Sequence, residues 1–132
     1  MTEGIKYDSG KLRLAEMMQD FREPLSAVCR VWEFGADKYE KSNWKYVDNA
    51  IDRYTNAMLR HLMEEETCAF DEESHLLHAA HVAWNALARL QFILNNMITE
   101  RAQTPTRFYG PLPEADKIKI NNIYTIGTPK NE

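Results

Sequence analysis

All four histidines of this 132-residue chain, His61, His75, His78 and His81, fall between residues 60 and 85. The same stretch holds Glu64, Glu65, Glu66, Asp71, Glu72 and Glu73. Imidazole and carboxylate are the side chains that hold divalent cations and move protons near neutral pH. Their spacing adds to the signal. His61 with Glu64 or Glu65, and His78 with His81, lie three or four residues apart, and on a helix such pairs point the same way. Two antiparallel helices joined near residues 67 to 71 would turn two such pairs towards each other, a common way to build a metal site in a bundle. Asp71, at the start of the second helix, is placed to close it.

Mixed nitrogen and oxygen donors suit manganese, cobalt, zinc or iron, whereas magnesium prefers carboxylates and keeps several waters. An activated water attacking a phosphoryl group is the natural reaction of such a centre. Glu73 and Glu64 are candidate proton acceptors, and Lys11, Arg13, Lys38 and Arg60 are candidates to neutralise a phosphate chain. Blander readings stand beside these. A helical histidine is often structural, an acidic run such as Glu64 to Glu66 is often a solvated face, and Asp71 and Glu73 could merely cap a helix. Glu33 either faces solvent or joins the metal.

The elements that would position these groups are helical. Leu14, Met17, Met18 and Phe21 recur at helical spacing after the Asp8-Ser9-Gly10 turn and predict a first helix with an apolar core stripe. Pro24 suits the first position of a second helix, whose apolar face runs from Leu25 through Val28, Trp32 and Ala36 to Tyr39. Gly35 lies inside it, at a cost of about 1 kcal/mol relative to Ala, and such a Gly often admits another backbone or a ligand. Residues 41 to 48 read as a loop in which Trp44 either stacks a base, with Asn43 reading its edge, or folds onto the core. Asp48 or Asn49 would cap a third helix carrying Ile51, Tyr54, Met58 and Leu62. Asp71 would cap a fourth and longest helix, running to about Met97, on which His78, His81 and Asn85 share one stripe.

From Arg101 the character changes, with Thr104-Pro105-Thr106 and Gly110-Pro111-Leu112-Pro113 breaking any helix. The isoleucines at 118, 120, 123 and 126 suggest at most one short strand. The expected architecture is therefore all-α, a bundle of four to five helices over residues 1–100 with an irregular C-terminal tail over 101–132.

Composition narrows the function classes. A net charge of −4 argues against duplex DNA as partner but not against a nucleotide, which a few basic residues and a cation can hold. No run of about 18 apolar residues is present, so no membrane span is expected, and the polar Met1–Gly10 suggests no secretory leader. Cys29 and Cys68 form neither a disulfide framework nor a zinc pattern, which points to reduced thiols in a cytoplasmic setting.

Five motifs occur in a fixed order: Lys6-x-Asp8-x-Gly10-Lys11-x-Arg13, Phe34-Gly35-Ala36-x-Lys38-Tyr39-x-x-x-Asn43-Trp44, Tyr54-x-x-Ala57-x-x-Arg60-His61-Leu62, Asp71-x-Glu73-Ser74 and His78-x-x-His81. Across residues 6 to 95 they resemble the phage-type dATP/dGTP diphosphohydrolase domain, related in function to MazG-like nucleotide pyrophosphohydrolases. The resemblance implies a MazG-like helical enzyme that uses a divalent metal (Mn, Mg or Co) to cut dGTP and dATP to monophosphate and pyrophosphate. It implies a homodimer or homotetramer, and a role in the host cytoplasm in a phage pathway that replaces adenine by 2-aminoadenine. It carries Lys11, Arg13, Lys38, Asn43, Trp44 and Arg60 to the substrate side, and His61, Asp71, Glu73, His78 and His81 to the metal or catalytic side.

The chain departs from the family pattern in places. His75 stands where a Gly follows the Asp-x-Glu-Ser motif, Thr67-Cys68 replaces a Gly-Glu pair, and the acidic pairs of MazG enzymes are answered by His61-x-x-Glu64 and His78-x-x-His81. Two rival readings remain: a histidine-aspartate metal phosphohydrolase releasing other phosphate products, and a non-catalytic helical protein that binds a nucleotide.

Overall fold

The computed structural model describes residues 3 to 103, and the isoleucine-rich segment lies outside them. Four α-helices and one short 3-10 helix account for the regular structure, with no strand among the described residues. The all-α expectation therefore holds. The chain divides into two compact units, residues 1–19 with 97–132 and residues 20–96.

In the first unit, the Lys11 amide donates to the Asp8 carbonyl at 3.1 Å, closing a turn that Gly10 completes at φ 76°. Only glycine adopts this left-handed conformation without steric cost. Helix α1 follows at Leu14–Asp20 and buries none of its residues. Leu14, Met17, Met18 and Phe21, expected as core, are each about half-exposed. Periodicity identifies which face of a helix is apolar, but not what covers it.

The second unit is built from α2 (Arg22–Lys38), the 3-10 turn Asn43–Tyr46, α3 (Ala50–Glu64) and, as far as Asn96, α4 (His78–Gln103). Pro24 is the third residue of α2 rather than the first, still within the turn whose amides have no helical acceptor. Helices α3 and α4 run antiparallel. The end of α3 meets the start of α4 through His61 and His78, while Tyr54 stacks on Phe92 at 5.9 Å and Arg89 donates to the Thr55 hydroxyl at 2.8 Å. Asn49 occupies the N-cap of α3 in a left-handed conformation and makes no side-chain cap, while Asp48 is engaged by Arg53 at 2.9 Å.

The largest difference from expectation lies between α3 and α4. The fourth helix begins at His78, not at Asp71, and residues 65 to 77 form a loop. An antiparallel bridge joins Phe70 to Leu77, with the Asp71 amide donating to the Leu76 carbonyl at 2.8 Å and the His78 amide to the Ala69 carbonyl at 2.9 Å. Two local features stop the helix from starting earlier. The Asp71 carboxylate accepts from both the amide and the hydroxyl of Ser74 at 2.8 Å, a side-chain turn that competes with helix. His75 then adopts φ 61°, which no right-handed helix contains. At the other end α4 runs past Met97 to Gln103.

Candidate functional site

The interior of the second unit is unusually polar. Its fully buried apolar residues are small or medium (Val31, Ala50, Ala80, Ala88), and beside them His61, His78, His81 and Asn85 are equally buried. Buried polar groups must find partners, and these do. His61 Nδ1 and His78 Nδ1 stand 2.9 Å apart, the His61 and His81 rings stack at 4.3 Å within 8° of parallel, and the Asn85 amide donates to the His81 carbonyl at 2.8 Å. The expected stripe of His78, His81 and Asn85 is thus the inward face of α4, and its counterpart on α3 is His61.

His61, Glu64, Asp71 and His78 converge, each offering a ligand atom, all within 4.8 Å of one another. Three elements supply them: the last turn of α3, the loop, and the first residue of α4. The donor set fits a divalent cation. Burial, and then the Arg60 charge, push the His61 pKa below its usual value, which keeps the imidazole neutral as a metal ligand must be. Burial pushes the Asp71 carboxyl up, but the Ser74 amide and hydroxyl outweigh this and hold it below the usual range, as a carboxylate. Two facing Nδ1 atoms at 2.9 Å need a proton or a cation between their lone pairs.

His81, expected among the ligands, stands outside this group. Its Nε2 lies 2.7 Å from Ser74 Oγ and 3.8 Å from Asp71 Oδ2. Counting hydrogen bonds gives its role there. The Ser74 hydroxyl has one proton, and the Asp71 carboxylate can only accept it. The Leu76 amide donates to Oγ at 3.2 Å, so the remaining lone pair accepts from His81. With the Asp71 carboxylate taking the Ser74 proton, His81 Nε2 faces Oγ as a donor. Burial, and then His61, lower the His81 pKa. Ser74 ends the Asp71-x-Glu73-Ser74 motif, but nothing in its spacing assigns it a role. A side chain that tethers an acid and a histidine across a loop leaves no periodic signal.

Above the cluster opens a cavity of about 680 Å³. Lys38, Asn43, Trp44, Arg60, His61, Glu64, Asp71, Glu73 and His81 line it, and His78 lies against His61. Its lining mixes acids and imidazoles with the aromatic rings of Phe34, Tyr39, Trp44, Tyr54 and Trp84, and Phe34 packs edge-on against His81 at 6.5 Å. Trp44 folds onto the core, its ring edge-on against Trp84 and Phe92, and it also lines the cavity. Lys38 forms an ion pair with Glu73 at 2.5 Å, and hydrogen bonds to Glu73 and then Tyr39 raise its pKa. Glu33 is held by Arg30 at 3.1 Å and does not line the cavity. Lys11 and Arg13 belong to the first unit, where Arg13 pairs with Glu16 at 3.2 Å. Cys29 and Cys68 are free thiols, and among the described residues no helix is long and apolar enough to cross a membrane.

Known proteins resemble the chain over most of its length. A family described as dATP/dGTP diphosphohydrolase, N-terminal, matches residues 1–102. A dATP/dGTP diphosphohydrolase of Salmonella phage PMBT28 is 38% identical over 97 residues, which cover 73% of this chain and 31% of the relative. The chain thus spans about a third of the length of that relative. No solved structure matches it.

Proposed function

Because the chain belongs to the dATP/dGTP diphosphohydrolase N-terminal family, we propose that it hydrolyses dGTP and dATP to the monophosphate and pyrophosphate with a divalent metal ion. The observation that carries this reading is the convergence of His61, Glu64, Asp71 and His78 within 4.8 Å beside a cavity that aromatic rings also line. A purine deoxynucleotide needs both: apolar surface for the base and a charged end for the phosphates.

In this reading His61, Glu64, Asp71 and His78 hold the cation, which would be manganese, magnesium or cobalt. When bound it supplies charge neutralisation for the phosphate chain and a more acidic water. Lys38 and Arg60, both on the cavity wall, take phosphate oxygens. Ser74 and His81 keep the Asp71 carboxylate in place. Trp44 and Asn43 face the base. Water oxygen bonds to the α-phosphorus, its proton passes to Glu64 or Glu73, and the bond from that phosphorus to the bridging oxygen breaks. The electron pair leaves with pyrophosphate. Lys11 and Arg13 are substrate-side residues by the family resemblance alone.

Leu59, Leu62 and Met63 of α3 are exposed, which supports assembly as a homodimer or homotetramer. The activity suits a phage pathway that replaces adenine by 2-aminoadenine, where removing dATP and supplying dGMP serve one end. The test is chromatography of dGTP and dATP incubated with protein and each metal in turn. Monophosphate plus pyrophosphate is expected. Released triphosphate would mean that the bond from the α-phosphorus to the 5′ oxygen breaks instead, single phosphates would move the attack to the γ-phosphorus, and intact nucleotides with every metal would sink the reading.

A further inference from the structure

Gly35 sits in the interior of α2, three residues before its end, where glycine is a poor helix former. The usual reasons for a helical glycine do not apply to it. Its φ is not positive, since Gly10 is the glycine in the left-handed region among the described residues. It does not admit another protein element either, because a Cβ built on it would have no heavy atom within 4 Å. Yet Gly35 lines the cavity, on the same side of α2 as Val31 and Lys38, four residues before it and three after. Val31 is buried and Lys38 reaches Glu73 on the facing loop, so this side of the helix is the cavity wall.

We infer that Gly35 is a binding-site residue, left without a side chain so that a purine deoxynucleotide can lie directly against the α2 backbone between Phe34 and Lys38. This inference rests on the nucleotide reading above. It adds a place for the ligand: Lys38 lies one turn further along the helix for a phosphate, and Phe34 of the same helix and Tyr39 at its C-cap line the cavity with aromatic surface for the base. The empty volume beside Gly35 is the ligand's, and any side chain there competes with it.

The geometry makes two effects of one substitution run in opposite directions. Gly35→Ala removes a helix-breaking residue without touching any neighbour, so the melting temperature of the full chain should rise by roughly 3–6 °C. The same methyl group occupies ligand space, so affinity for an α,β-non-hydrolysable dGTP analogue, measured calorimetrically with manganese, should fall about tenfold. Gly35→Leu should weaken binding further while keeping the helix. Equal binding by wild type and Gly35→Ala would overturn the inference and leave the nucleotide reading intact. A change of oligomeric state in Gly35→Ala would assign the space to a second subunit instead and overturn it as well. Failure of the wild-type protein to bind the analogue would overturn the nucleotide reading and this inference with it.

Discussion

The floor and the rim of the cavity are built on opposite terms. The floor is made of His61, His78 and His81, each 7% exposed or less, with every described polar side-chain atom buried there satisfied. The rim is made of exposed charges, Lys38, Arg60 and Glu73, whose tie across the opening is one ion pair. Groups on the floor contribute to folding and to chemistry together, because removing one orphans its partner in a place water does not reach. Groups on the rim contribute little to folding, because an exposed ion pair is screened and entropically costly. A substitution should therefore reveal its region by whether stability and activity change together.

The sharpest test of this contrast is His78→Ala. It removes a ligand of the proposed centre and leaves His61 Nδ1 without its partner at 2.9 Å. Turnover of dGTP should fall by more than the roughly 100-fold typical of outer-shell changes around metals. Stability of the metal-free protein in urea should drop by about 1–3 kcal/mol, the cost of an unsatisfied buried group. Lost turnover at unchanged stability would mean that His78 is not packed as the floor requires.

This coupling was half legible in the sequence. The pairs His61 with Glu64 or Glu65 and His78 with His81 follow from helical spacing, because residues three and four apart share a face whatever surrounds them, and only the antiparallel turn sets one pair facing the other. What covers such a face is set by tertiary packing, and so the stripe on α1 could be recognised as apolar but not as exposed. The loop was misread for a specific reason. Asp71-Glu72-Glu73 has the composition of a helix start, and the same aspartate can cap a helix or close a turn on Ser74. The left-handed conformation of His75 decides between the two, and no local preference of histidine requires it. The cavity rim was legible only as a motif, since Lys38 and Glu73 are 35 residues apart and meet through the fold.

Acid should separate the regions next. The pKa values of His61 and His81 are lowered from 6.5, by burial first, so the folded state resists protonation that the unfolded chain accepts. Their stabilising effect is complete above pH 6.5 and is lost as pH falls below 6.5 towards and through the lower folded values. Each contributes at most about 1.4 kcal/mol per pH unit within its window. Asp71, lowered from 3.8, adds a further loss as pH falls below that value. Urea denaturation of metal-free protein from pH 8 to pH 5 should show this decline, and a flat profile down to pH 5 would show that the floor is already open to water.

On the rim, Lys38→Met should behave in the opposite way to His78→Ala. The Lys38–Glu73 pair is largely exposed, so urea stability should stay within about 0.5 kcal/mol of wild type. The Michaelis constant for dGTP should rise about tenfold, as expected when one charge-assisted contact to phosphate is lost. A large loss of stability in this variant would place Lys38 with the floor.

The smallest effect concerns the loop that joins the two regions. His75 is exposed and held at φ 61°, where a side chain costs about 1–2 kcal/mol that glycine does not incur. The turn that imposes this conformation runs from Asp71, which is part of the floor, and its closing bond is the His75 amide to the Asp71 carbonyl at 2.9 Å. His75→Gly keeps that backbone bond and relieves the strain, although glycine returns part of the gain through the entropy of the unfolded chain. The net expectation is a stabilisation of at most about 1 kcal/mol with unchanged turnover, read by urea denaturation and a dGTP assay. Loss of activity in His75→Gly would instead show that the imidazole is used, and would move His75 from the loop's geometry into the site.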